Sequence, residues 1–238
     1  GGKKAEVLIL PVDVTRDRYF LDRFWREMRV VVELEEWELL GVLDVGEAGG
    51  IHYVAYEHVD GETLEAKLRK DKTFEVKKAV EIAISLLNVL AVAAKNKITH
   101  GDIKPENIIL TDDGGIRLSG LGLARGTDED ASSLNEKGRV IHYGAPEQIL
   151  GEDRDGRSDI WSVGALLMRM VSGKMPLEAG SLSEARGLVQ AGELPNPKDV
   201  MEIPDALRTA LGKMLAEKPD DRYAGAADAA KALKKLKL

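Results

Sequence analysis

The sequence contains no cysteine, so disulfide cross-links and thiolate metal sites are excluded, and cysteine usage says nothing about redox compartment. An excess of basic charge is also missing. Lys and Arg number 34 against 41 Asp and Glu, for a net charge of −7, which excludes non-specific attraction to nucleic acid or an anionic membrane. The four His do not fall at metal-ligand spacing, so no metal site is expected. No apolar run is long enough to cross a bilayer. The longest, from Ala79 to Ala94, is interrupted by Glu81, Ser85 and Asn88 and reads as a buried helix. The opening Gly1-Gly2-Lys3-Lys4 lacks the apolar region of a secretory leader, and the chain enters a strand-like run almost at once. These absences point to a cytoplasmic protein, or to the cytoplasmic portion of a larger one.

What is present fits a globular protein. Its 238 residues, 44 % hydrophobic and 32 % charged, suffice for one large domain or two small lobes sharing a core. The first 60 residues mix strands with one helix. "AEVLILPV" is a short apolar run stopped by Pro11. Asp17 can cap a helix through "RYFLDRFWREMRVVVEL", where Phe20, Phe24, Met28 and Val31 share one face. "WELLGVLDVGE" and "GIHYVAYEHV" read as a strand pair across a Gly-rich turn. From Thr63 the pattern turns mostly helical. Thr73 can cap a helix reaching Asn96, "NIIL" and "IRLS" form a hairpin on an Asp-Gly turn, and "DIWSVGALLMRMV" is apolar all round, as at the centre of a lobe. Ser181 and Glu184 look like a capping box, and an Ala-rich helix closes the chain. The boundary between the halves falls near residues 58–64.

Four motifs then appear in order. "HGDIKPENIIL" spaces Asp102, Lys104 and Asn107 as in the catalytic loop of protein kinases, which it resembles. "YGAPEQIL" carries Ala-Pro-Glu at 145–147, "SDIWSVG" supplies Asp159 and Trp161, and "KPDDRY" supplies Arg222. "RDRYFLDRFWRE", ending at Glu27, is similar to the mobile helix of bacterial Ser/Thr kinases, and "YEHVDGETL" to the hinge. The resemblance covers about the whole chain. It implies an α+β, two-lobed kinase-like fold, with a reduced strand-rich N-lobe over residues 1–60 and a mainly helical C-lobe over 61–238. It also implies a base at Asp102, phosphate neutralisation by Lys104, magnesium binding by Asn107, a buried Glu147–Arg222 ion pair, an Asp159 that accepts catalytic-loop hydrogen bonds, and Trp161 packed beneath.

The same comparison exposes departures. Gly120 and Leu121 stand where the family has Asp-Phe, so only Gly122 matches and magnesium loses its strongest anionic ligand. Counting back from Glu27 aligns Leu8 with the phosphate-binding Lys of the third strand, which leaves Glu27 to be a solvated helix residue. Only seven residues precede Leu8, too few for a Gly-rich phosphate loop. Gly101 replaces an Arg that clamps a phosphorylated activation segment, and Val140 replaces a Thr that bonds the catalytic Asp and Lys. Tyr56, just before hinge residue Glu57, adds bulk at the rear of an adenine pocket. "GLGLARG" lacks the following helix of a dinucleotide site.

Each lost charge contact removes a few kcal/mol of transition-state stabilisation. The expectation is therefore a pseudokinase: not an enzyme, without cofactor or metal, its Asp102, Lys104 and Asn107 vestigial. It would serve as a regulatory module binding a protein partner such as an active kinase or a phosphopeptide-binding domain. Residues 126–138, with Thr127, Ser132 and Ser133, read as a loop. A sheet edge exposed by absent strands would favour a homodimer. The alternative is an ATP- and Mg-binding, weakly active Ser/Thr kinase that uses Asp102, Lys104 and Asn107.

Overall fold

The computed structural model describes residues 4–123, 141–200 and 203–238. Its first half is built on a three-stranded antiparallel sheet of β1 (Ala5–Ile9), β2 (Val42–Ala48) and β3 (Ile51–Glu57), in the order β1-β3-β2. β2 and β3 join through Gly49-Gly50. β1 takes the edge, Leu8 opposite Val54, and Val7, Leu8 and Ile9 are all exposed. A four-residue helix, α1 (Val12–Thr15), leads into α2 (Arg18–Val31). Asp17 opens α2 by accepting a hydrogen bond from the Tyr19 N–H at 2.8 Å. Phe20, Phe24, Met28 and Val31 are its buried stripe, because residues three and four apart lie over one another on a helix. Trp25 lays its ring against His52 of β3, with centroids 5.9 Å apart.

The second half begins with a strand that the sequence pattern does not signal. β4 (Gly61–Thr63) pairs antiparallel with β5 (Ile108–Thr111), which pairs with β6 (Ile116–Leu118). Three residues, Gly-Glu-Thr, carry no alternation, and the pairing comes from the chain returning at β5. Thr63 then caps α3 (Leu64–Asp71), its hydroxyl accepting from the Ala66 N–H at 3.1 Å.

The long helix α4 (Val76–Lys95) starts later than expected, with Glu75 rather than Thr73 at its N-cap. The Phe74 N–H donates to the Met170 carbonyl at 2.8 Å, and this tertiary bond holds residues 73–75 out of the helix. α5 (Pro146–Leu150) and α6 (Gly156–Ser172) follow. α6 is buried on every side, Trp161 and Leu166 completely, and α4 packs along it. α7 (Leu182–Gln190) is capped by Ser181, which accepts from the Glu184 N–H at 3.2 Å; the Glu184 carboxylate accepts from Gly180 rather than closing the box on Ser181. α8 (Asp205–Met214) and α9 (Ala226–Lys234) complete the helical layer, α9 packing on α4 and α6. One apolar cluster runs from Phe24 and Met28 through Leu86 and Trp161 to Leu233, so the two halves share a core.

Candidate active site

The loop from Ile98 to Asn107 joins α4 to β5, and α6 fixes it from below. Asp159, buried near the start of α6, accepts two backbone hydrogen bonds from the loop: His100 N–H to Oδ2 at 2.8 Å and Gly101 N–H to Oδ1 at 2.7 Å. Burial raises the Asp159 pKa; His100 and these two donors oppose it. The buried His100 ring bridges its own loop. Its Nε2 meets the Ser119 carbonyl at 2.9 Å, and Nδ1 accepts from the Asp102 N–H at 3.2 Å, an arrangement that sets the proton on Nε2. Gln148 of α5 donates to the Gly101 carbonyl at 3.0 Å.

So held, the loop brings three side chains together. Lys104 Nζ donates to Asp102 Oδ2 at 2.5 Å, and Asn107 Nδ2 donates to the Asp102 backbone carbonyl at 2.8 Å and to Oδ2 at 3.2 Å. The Lys104 side chain is 9 % exposed and that of Asp102 is 30 % exposed, so of this ion pair the carboxylate is the member open to solvent. The Asn107 amide nitrogen is used within the loop. Its oxygen remains an acceptor, the kind of donor that Mg²⁺ takes alongside phosphate oxygens and water. Asn107, through that amide oxygen, is the residue of the loop that would hold magnesium, while Asp102 Oδ2 is taken by Lys104 and Asn107.

Across from this loop lies the segment after β6. Gly120 (φ +88°) places no carboxylate here; a Cβ built on it would meet Asn107 Nδ2 and His100 Cε1 at 3.6 Å, ordinary contact distances. Leu121 is buried. Gly122 (φ +78°) passes so close to α2 that a Cβ would collide with Met28 Cε. The buried Tyr56 hydroxyl faces the Gly120 backbone without reaching the geometry of a full hydrogen bond, and burial pushes its pKa up to about 12. Leu8 lies on the edge strand, 42 % exposed. Val140, Thr127, Ser132 and Ser133 lie outside the described residues.

Glu27 departs from its expected exposure. Its side chain is only 15 % exposed and pairs with Arg23, one turn earlier, at 3.9 Å. Burial raises its pKa against the pull of Arg23, Arg26 and Arg154. Arg154, in the α5–α6 connection, belongs to the same electrostatic neighbourhood, with Arg23, Asp159, Glu27 and Asp102 around it. No motif marks it, and sequence reading missed it.

Beneath the loop, Arg222 forms a two-pronged pair with Glu147, Nη1 to Oε1 at 2.7 Å and Nη2 to Oε2 at 2.8 Å. Ser158 adds a third donor to Glu147 at 2.7 Å, and Arg222 also bonds the carbonyls of Ala216, Glu217 and Arg157.

A small antiparallel sheet with its packed helix, a helical half, and a Asp–Lys–Asn loop pinned on a buried Asp between them define the class of two-lobed protein kinase-like domains. Comparison with known proteins agrees. The model of the family described as "Protein kinase domain" matches residues 9–235. The chain is 32 % identical over 228 residues to a probable serine/threonine-protein kinase of Clostridium acetobutylicum, covering 94 % of this chain and 34 % of that protein. It is 31 % identical over 234 residues to the serine/threonine-protein kinase PknB of Mycolicibacterium smegmatis, covering 95 % and 37 %. The crystal structure of the Mycobacterium tuberculosis PknI kinase domain superposes with a TM-score of 0.75 at 25 % identity, covering 97 % of this chain and 85 % of that one. The chain belongs to the protein kinase family, and it spans about a third of the length of the curated relatives it matches.

These relatives overturn the expectation that the chain is not an enzyme. Proteins about 30 % identical along nearly all of it are named serine/threonine-protein kinases. The accompanying expectation of no cofactor loses its support with it. The departures at Leu8, Gly101 and Gly120 describe which contacts are missing; they do not outweigh a family membership that spans the chain. Among the described residues no helix is long and apolar enough to cross a membrane.

Proposed function

We propose that this chain is an ATP-dependent serine/threonine protein kinase domain that works slowly through Asp102, Lys104 and Asn107. The observation that carries the reading is the convergence of those three side chains, with the Asp102 carboxylate partly open to solvent. The Asp102 carboxylate accepts the hydrogen bond of a Ser or Thr hydroxyl and aligns its oxygen for in-line attack. Lys104, now on Asp102, neutralises charge on the phosphoryl group as it moves. Asn107 offers its amide oxygen to Mg²⁺, whose chemistry is to offset the negative charge of the phosphates. The partner implied is a protein substrate with an accessible hydroxyl. The lobes of this reading are residues 1–60 and 61–238, with Tyr56 and Glu57 at their junction.

Speed is the feature in which this domain differs from fully equipped relatives. The cleft lacks a carboxylate at Gly120 and a strand cation at Leu8, and each such contact is worth a few kcal/mol in phosphoryl transfer. Transfer of labelled phosphate from ATP to a mixed Ser/Thr peptide pool tests the reading. The folded wild type should incorporate label above background, and Asp102→Asn should remove at least about 90 % of it, as loss of a positioning base costs on the order of a hundredfold. Incorporation equal in wild type and Asp102→Asn at every Mg²⁺ concentration would overturn it.

A further inference from the structure

β1 pairs with β3 along one side only. The Leu10 N–H donates to the His52 carbonyl at 2.9 Å, and the register continues that pairing through Leu8 opposite Val54 and Glu6 opposite Tyr56. In an antiparallel ladder, successive residues turn their N–H and C=O groups to opposite sides. The even-numbered residues of β1 therefore bond β3, and Ala5, Val7 and Ile9 aim theirs away from it. Among the described residues no strand takes up these outward groups. Val7 is 59 % and Ile9 61 % exposed, on the face of the sheet opposite α2, since Trp25 of α2 meets His52 on the other face. β1 also lacks the protection that edge strands commonly carry. It has no Pro, its register with β3 runs without a bulge, and its single charged residue, Glu6, is engaged by His58 Nδ1 at 3.0 Å.

We propose that this edge pairs antiparallel with the β1 edge of a second copy of the chain, the two-fold axis passing beside Val7, so that two three-stranded sheets join into one continuous sheet. The pattern of β1 selects this occupant. Its outward-bonding residues are symmetric about Val7. Val7 then opposes Val7 of the second copy, Ala5 opposes Ile9, and Ile9 opposes Ala5. Each of these pairs exchanges two hydrogen bonds, so every outward N–H and C=O from Ala5 to Ile9 finds a partner. Large meets small at both ends and β-branched meets β-branched at the centre, a favourable cross-strand set on an apolar face. Charge points the same way. With Glu6 turned to His58, the strand presents neither sign for a charged segment to recognise, and a neutral apolar strand such as β1 itself meets no uncompensated charge on it. Strands this short bury less than a standard interface, so the association is weak, with a dissociation constant on the order of 100 µM. Nothing in this contact uses Asp102, so it stands or falls separately from the proposed phosphotransfer.

The chain has no cysteine, so single cysteines report the register cleanly. Val7→Cys places two thiols across the axis, at the roughly 5.5 Å Cα separation of a hydrogen-bonded pair, which a disulfide can span. Ala5→Cys or Ile9→Cys alone places them four residues apart along the strands, about 14 Å at 3.4 Å per residue. On mild oxidation Val7→Cys should cross-link at least about tenfold faster than either of the other two alone, and a mixture of Ala5→Cys and Ile9→Cys chains should cross-link to each other. Sedimentation velocity should show a concentration-dependent dimer. Val7→Lys should remove it by setting two ammonium groups opposite each other, and Val7→Pro should remove it without disturbing β3, because the Val7 N–H points outward. Thermal unfolding of each variant establishes that it is folded. A chain that stays monomeric at about 300 µM, its edge open or covered by its own residues, would overturn the proposal. Equal cross-linking of the three cysteine variants, the mark of a parallel or slipped pair, would do the same, as would a dimer that persists in folded Val7→Lys and Val7→Pro.

Discussion

Glu147 and Arg222, 75 positions apart, meet through two parallel hydrogen bonds of 2.7 and 2.8 Å with both side chains almost wholly withdrawn from solvent. This pair ties the short helix α5 to the connection between α8 and α9, and Ser158 brings α6 into the same knot. Gln148, next to Glu147, reaches the carbonyl of Gly101. The knot and the Asp102 loop are thus two ends of one polar scaffold.

Breaking the pair from one side should be costly. Glu147→Gln leaves the Arg222 guanidinium buried without its counter-charge, and Arg222→Met strands the carboxylate; each should destabilise the fold by about 3–5 kcal/mol. The double substitution, Glu147→Gln with Arg222→Met, should cost less than the sum of the singles, since no lone charge is then buried. Urea unfolding of the four proteins gives these values, and strict additivity would show that the two residues are not coupled.

The same carboxylate makes a pH prediction. Burial pushes the Glu147 pKa up, but the hydrogen bonds from Arg222 and Ser158 outweigh it and leave it below its ordinary 4.5. A carboxyl that is more acidic in the folded than in the unfolded chain stabilises the fold in its ionised state. That contribution is fully present above about pH 4.5 and is lost as the pH falls through the folded-state value. The difference in unfolding free energy between wild type and Glu147→Gln should therefore be constant from neutral pH down to that point and shrink below it. A difference that grows on acidification would contradict the assigned shift.

Much of this architecture was legible in the sequence, for reasons that are local. Asp17 followed by Phe20, Phe24, Met28 and Val31 announces a capped amphipathic helix, and the spacing of Asp102, Lys104 and Asn107 announces the loop they occupy. What escaped was set by tertiary contact. β4 exists because β5 returns beside it. α4 starts late because Phe74 bonds Met170. Arg154 sits in the electrostatic field of Asp102 and Glu27 from 52 positions beyond the former, a proximity that no spacing encodes. The expectation of inactivity had a related origin. It counted side chains absent from fixed positions, and it fell to relatives named serine/threonine-protein kinases that match along nearly all of the chain.

Gly120 offers a gain-of-function prediction. A Cβ there meets nothing closer than 3.6 Å, so the first atom of a Gly120→Asp side chain has room, while φ of +88° costs a non-Gly residue about 1–2 kcal/mol of stability. The new carboxylate would face Asn107 across the cleft and add an anionic oxygen ligand for Mg²⁺. Phosphotransfer by Gly120→Asp should exceed that of wild type by at least about tenfold and saturate at lower Mg²⁺, with a slightly lower melting temperature. An unchanged rate and Mg²⁺ response in a folded Gly120→Asp protein would mean that this position does not face the metal.

Gly122 makes the opposite case, two residues on. Its φ of +78° disfavours any side chain, and a Cβ would stand 2.4 Å from Met28 Cε, inside the van der Waals distance. Gly122→Ala should therefore cost about 2–4 kcal/mol, combining backbone strain with overpacking against α2. The two contributions can be separated because Met28 is a flexible, unbranched side chain. In a Met28→Ala background, itself destabilised by its cavity, the new methyl would have room, and the added cost of Gly122→Ala should fall to the backbone part, about 1–2 kcal/mol. Equilibrium unfolding of the two single variants and the double variant measures that coupling. A zero coupling energy would place the whole cost in the backbone and show that the segment after β6 is not wedged against α2. A coupling of 1 kcal/mol or more identifies the Gly122–Met28 contact as what sets the distance between α2, with Glu27 on it, and the Asp102 loop.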